Sequence, residues 1–170
     1  MIFRIIGGAL VCVACAALGL YMSNKGMIRA RQLTEFKQSL LMLKSEIEFA
    51  AYPLPLAFAH IAGRFAGFAD FYETLSERLA DKHMGIATAW GKGLTEFDNS
   101  YLKPEDLQAI GGLGAALGSI DSAVQLKAID NMIADIDEIL ARLAEQNLKD
   151  SKMYKQLGLL GGVLIVVVLL

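Results

Sequence analysis

No charged residue occurs from Ile5 to Met22, and none again from Leu157 to Leu170. These runs constrain the fold more than anything between them, because each Å² of apolar surface left in water costs about 25 cal/mol. As helices rising 1.5 Å per residue they would reach roughly 27 Å and roughly 21 Å, against ~30 Å for the hydrocarbon of a bilayer. The pattern predicts an N-terminal transmembrane helix in residues 1–25 and a C-terminal one in 155–170. Met153 and Tyr154 would lengthen the second while Lys152 and Lys155 extend towards the headgroups.

Lys25, Arg29 and Arg31 follow the first run, and Lys149, Lys152 and Lys155 precede the second. Basic residues beside a membrane segment mark its cytoplasmic side, so both ends predict that residues 26–154 form a cytoplasmic domain. A cleaved export signal is the rival reading, with Arg4, the apolar run and Ala14-Cys15-Ala16, but the basic residues beyond the run disfavour it. The two cysteines, Cys12 and Cys15, both lie inside the first run and leave the middle domain without a disulfide. A net charge of −2 with dispersed Lys and Arg argues against a nucleic-acid partner. The basic flanks suit anionic membrane lipids better.

Between the runs the apolar period is helical, with no sustained alternation of a strand. Leu33, Phe36, Leu40, Leu43, Ile47 and Ala50 form a heptad-like seam that predicts a helix from about Met27 to Ala51. Pro53 and Pro55 end it, since neither has an amide hydrogen. A second helix is predicted to Phe65 with Gly67 as its stop, and a third from Asp70 with Phe71, Leu75 and Leu79 on one face. After a turn at Lys82 to Gly85, a fourth carries Ile86, Trp90, Leu94 and Phe97 and stops at Asp98-Asn99-Ser100. The fifth is Pro104 to Leu117, its Glu105 and Asp106 suited to the positive end of the helix dipole. The sixth starts near Ser119 or Asp121 and repeats Leu126, Ile129, Ile133, Ile136, Leu140 and Leu143, reaching Tyr154 and the terminal apolar run. The predicted fold is all-α, a six-helix up-and-down bundle flanked by the two transmembrane helices.

Gly111, Gly114 and Gly118 leave one stripe of the fifth helix almost bare. Each mid-helix glycine costs up to about 1 kcal/mol relative to alanine, which predicts a close helix contact there. Gly158 and Gly162 form a GxxxG that suits helix packing in the terminal run. The histidines, His60 and His83, have no companion ligand at helix-face spacing, and no nucleophile elbow, HExxH or dinucleotide glycine pattern occurs. No metal, cofactor or catalytic residue is therefore expected, and Asp130, Asp135, Asp137 and Glu138 read as a solvated acidic face able to dock a basic surface.

Several short motifs resemble the stage III sporulation AB family. They are Arg31-Gln32-Leu33 leading to Leu43, Glu46-Ile47 and Pro53-Leu54; Ala89-Trp90 followed by Leu94; Leu117-Gly118-x-x-Asp121-x-x-x-Gln125; and Lys155-Gln156-Leu157-Gly158. The resemblance covers nearly the whole chain and contains no enzyme signature. It implies a membrane component of a secretion-like channel complex between mother cell and forespore, partnered by a cytoplasmic secretion-type ATPase and other stage III channel proteins. It also implies a domain similar to the cytoplasmic domain of type II secretion and type IV pilus inner-membrane platform proteins. Those carry two such domains where this chain has room for one, which implies a homodimer. A platform-like component of an ordinary secretion or pilus system is the alternative. The expected partner contacts are Lys82 and His83 in the turn before the fourth helix, with Asp130, Asp135, Asp137 and Glu138 on the sixth.

Overall fold

The computed structural model describes residues 26–50, 52–80, 84–98 and 100–169, with side chains of the last helix as far as residue 149, residues 147 and 148 apart. Among the described residues every regular element is helical. The α-helices are α1 (26–45), α2 (Leu54–Ala62), α3 (Ala69–Ala80), α4 (Ile86–Glu96), α5 (Pro104–Leu117) and α6 (Ser122–Leu169). A π-turn, Glu46–Ala50, closes α1, and a 3₁₀ turn, Ala66–Phe68, leads into α3. The chain divides into one compact unit of Arg31–Leu140 and another of Met1–Ala30 with Ala141–Leu170. In the described part of the latter, Leu143 is buried and Lys149 pairs with Glu145 one turn back at 2.7 Å.

The sequence expectation of flanking transmembrane helices is corrected. Among the described residues no helix is long and apolar enough to cross a membrane. The N-terminal segment, 1–25, lies outside the described residues. At the other end, Leu157–Leu169 is the tail of α6. Its charge-free length is about 20 Å at 1.5 Å per residue, some 10 Å short of a hydrocarbon core.

The Arg31–Leu140 unit is built around the α1 seam. Leu33, Phe36, Leu40 and Leu43 are each at most 1% exposed, while Ile129, Met132 and Ile136 supply the buried edge of α6. Two ion pairs fix the register between these helices, Lys37 to Asp137 at 2.5 Å and Lys44 to Asp130 at 2.6 Å. Lysines a heptad apart going up α1 meet aspartates a heptad apart coming down α6, so the pair is antiparallel. Consecutive helices α2, α3, α4 and α5 pack each on the next.

Aromatic rings fill the space within the unit. Phe36 meets Phe68 at 5.2 Å between centroids, Phe68 stacks on Phe97 at 4.8 Å, and Phe71 stands edge-on to Trp90 at 5.0 Å. The second helix ends at Ala62, with Gly63 as its cap, three residues short of the predicted end. Beyond it the Arg64 and Phe65 amides both donate to the Ile61 carbonyl, at 2.9 and 3.2 Å, and the Gly67 amide donates to Glu35 Oε1 at 2.7 Å. A Cβ at Gly67 would lie 2.5 Å from the Glu35 carboxylate, so a larger residue would make that side chain shift.

One polar pair is sealed in the core. Ser39 Oγ donates to the Phe36 carbonyl at 2.7 Å and stands 2.5 Å from Tyr72 Oη. A hydroxyl has one hydrogen, so Tyr72 is the donor in the second bond. Burial pushes the Tyr72 phenol well above the usual tyrosine range. The folded state thus keeps a proton that the unfolded chain releases above about pH 10. Stability from this group is fully present below that pH and falls as pH rises past it. Tyr72→Phe is expected to flatten the alkaline fall of the urea midpoint and to lower stability at neutral pH by about 1 kcal/mol, since Ser39 loses its donor.

Candidate docking surface

Among the residues expected to meet partners, Asp130 and Asp137 carry the two ion pairs to Lys44 and Lys37. The hydrogen bond to Asp130 raises the Lys44 pKa, with further help from the charges of Asp130 and Glu48. Asp135 and Glu138 are exposed on the same helix, and Lys82 and His83 lie outside the described residues. Asp130 and Asp137 thus pair with α1 while staying about half exposed. The matching heptad spacing of Lys37 and Lys44 with Asp130 and Asp137 is the sequence signal for this pairing.

The glycines of α5 differ from one another. A Cβ at Gly114 would fall onto the Trp90 indole, and one at Gly118 would come within 3.0 Å of Ile86 Cγ2. At Gly111 the nearest atom, Leu94 Cδ2, would be 3.7 Å away, an ordinary contact. Gly114 is therefore the point where α5 backbone rests on α4, and Trp90, fully buried, fixes it by donating its Nε1–H to the Ile110 carbonyl at 2.8 Å. Gly111→Ala is expected to be neutral or to raise stability by up to about 1 kcal/mol through helix propensity, read as a shift in melting temperature. Gly158 and Gly162 lie in the part of α6 whose side-chain surroundings are outside the described residues.

The turn between α5 and α6 has a defined role for two residues of the Leu117–Gln125 motif. Asp121 Oδ1 accepts the Ala123 amide at 2.9 Å and caps the start of α6. Gln125 Nε2 donates to the carbonyls of Leu117 at 2.9 Å and Ser119 at 2.7 Å, closing the end of α5. Lys103 N–H donates to the buried Asp106 carboxylate at 2.9 Å, which fixes the start of α5.

His60 stands edge-on to Tyr52 at 5.4 Å, with Nδ1 3.5 Å from Glu46 Oε1. Around that corner the surface is apolar: Phe49 is 80% exposed, Leu56 51% and Tyr52 46%. Aromatic side chains in solvent at a helix corner are the residue types that anchor protein interfaces. No cluster of three metal-ligating side chains occurs among the described residues.

Hydrogen bonds, ion pairs and a ring cluster hold the described helices together, and some apolar side chains face outward, which defines the class as a helical bundle protein. The chain belongs to the stage III sporulation protein AB family, whose model matches residues 4–170. It is 27% identical over 169 residues to the stage III sporulation protein AB of Bacillus subtilis (strain 168), covering 98% of this chain and 99% of that one. A solved structure of a stage III sporulation protein AB superposes with a TM-score of 0.66 at 24% identity, covering 71% of this chain and 97% of the other. That likeness shows the shared helical fold. The family is described by a stage of sporulation and not by a reaction.

Proposed function

We propose that the protein is a non-enzymatic docking and scaffolding component of a secretion-like channel complex between mother cell and forespore. It holds partner subunits, a secretion-type ATPase among them, in place for the assembly. The observation that carries this reading is the apolar corner of Phe49, Tyr52 and Leu56, exposed on a bundle of a sporulation family. Large apolar groups gathered in water are retained at a cost that a partner relieves by covering them.

The test is affinity capture with crosslinking of the full-length protein from sporulating and growing cells. Recovery of a secretion-type ATPase and other stage III channel proteins from sporulating cells alone is the expected result. Phe49→Asp is expected to reduce that recovery about tenfold or more, as loss of an interface anchor does, while leaving the melting temperature within error. Recovery of a pilus or export apparatus from growing cells would reject the sporulation-channel role.

A further inference from the structure

Helices α2 and α3 pack on one another, and their outer faces leave an open groove of about 400 Å³. The α2 wall is Ala59, Ala62 and Gly63, so no side chain there is longer than a methyl group. The α3 wall is Ala69, Glu73, Ser76 and Glu77. Ser76 donates its hydroxyl to the Pro55 carbonyl at 2.8 Å, which leaves the two carboxylates as the polar groups that face an occupant.

Glu73 and Glu77 are both exposed and one helical turn apart, a spacing at which like charges repel. Exposed Asp70, three residues before Glu73, adds a third negative charge to that side of α3. The cations that form ion pairs in the bundle meet other acids: Lys37 takes Asp137, Lys44 takes Asp130 and Arg78 takes Glu96. Asp130 and Asp137 of α6 are thus balanced from within, whereas Glu73 and Glu77 of α3 border a concave surface.

Shape and charge specify one occupant. A wall of alanine and glycine lets another backbone approach closely, which suits a helix laid along the groove. The carboxylates select a helix bearing lysine or arginine four residues apart, matching their own spacing. We propose that this groove receives a cationic helix of a partner subunit, with its basic side chains on Glu73 and Glu77 and its backbone against Ala59, Ala62 and Gly63. The proposal rests on the docking reading above and names the chemistry of one contact within it.

Gly63 offers a way to fill the groove without disturbing the fold. A Cβ there would have only the His60 carbonyl at 3.8 Å and the Ala59 carbonyl at 4.0 Å nearby, both ordinary contacts. The experiment uses full-length protein and a labelled alanine-rich helical peptide with lysines four residues apart, followed by fluorescence anisotropy. Its counterpart carries glutamate in place of each lysine. The lysine peptide is expected to bind, to weaken with added salt, and to bind about tenfold less tightly to the Glu73→Gln/Glu77→Gln double variant, the combined size of two exposed ion pairs. Gly63→Leu is expected to weaken binding while keeping the salt dependence, which separates shape from charge.

Equal binding of the two peptides, or unchanged binding to all variants, would overturn the groove proposal. Loss of self-association in the double variant without peptide binding by the parent protein would overturn it too, in favour of a second copy as occupant. Absence of peptide binding while the parent protein still captures the ATPase rejects the groove and spares the docking reading. Failure to capture any channel protein rejects the docking reading itself.

Discussion

Gly114→Ala lowers the stability of the bundle by about 2–3 kcal/mol, the range of overpacking in a close-packed core. The methyl group would land on the Trp90 ring, which is fully buried and held by its bond to Ile110. Neither partner yields cheaply, because moving the indole breaks that bond and moving α5 separates it from α4. The measurement is urea unfolding followed by circular dichroism, with Gly111→Ala on the same helix as the control for propensity. A loss at residue 114 no greater than at residue 111 would show that α5 does not rest on Trp90.

Trp90→Ala lowers stability by about 3–5 kcal/mol, the usual loss on emptying a buried aromatic site. The indole contacts Phe58 at 6.1 Å and Phe71 at 5.0 Å between centroids, so its removal opens the centre of the ring cluster. The two substitutions are coupled in size. With Trp90 already replaced by alanine, the methyl of Gly114→Ala is clear of the ring and meets only the remaining Cβ of residue 90, 2.6 Å away, so the substitution costs less than in the parent protein. Simple additivity of the two losses in the double variant would exclude their direct contact.

The helices were legible in the sequence because their signals are local. The α1 seam at Leu33, Phe36, Leu40 and Leu43 is the buried face, and Pro104 opens α5 where its fixed φ suits a first turn. On α6 the periodic reading placed Ile133 in the seam, yet Met132 is the more buried of the two. Apolar residues on adjacent positions satisfy the same period, and only the neighbouring helix selects between them. The Gly67 amide bonds Glu35, 32 residues earlier, and no local pattern announces such a bond.

The candidate surfaces were less legible for a related reason. Asp130 and Asp137, read as part of a solvated face on α6, stay exposed once folded yet pair with α1 lysines. The apolar corner at Phe49, Tyr52 and Leu56 spans the end of one helix and the start of another, so it has no single periodicity to find. The groove between α2 and α3 likewise joins two unremarked sets of small and acidic residues.

By itself the sequence determined the all-helical class, the helix order and the family, since period, proline position and short motifs are properties of neighbours along the chain. Tertiary structure alone decided which charges are already paired, which glycine bears the helix contact and which apolar groups face water. Those depend on atoms distant in sequence meeting within a few ångströms, where packing and hydrogen bonding select one arrangement from many that the local pattern allows.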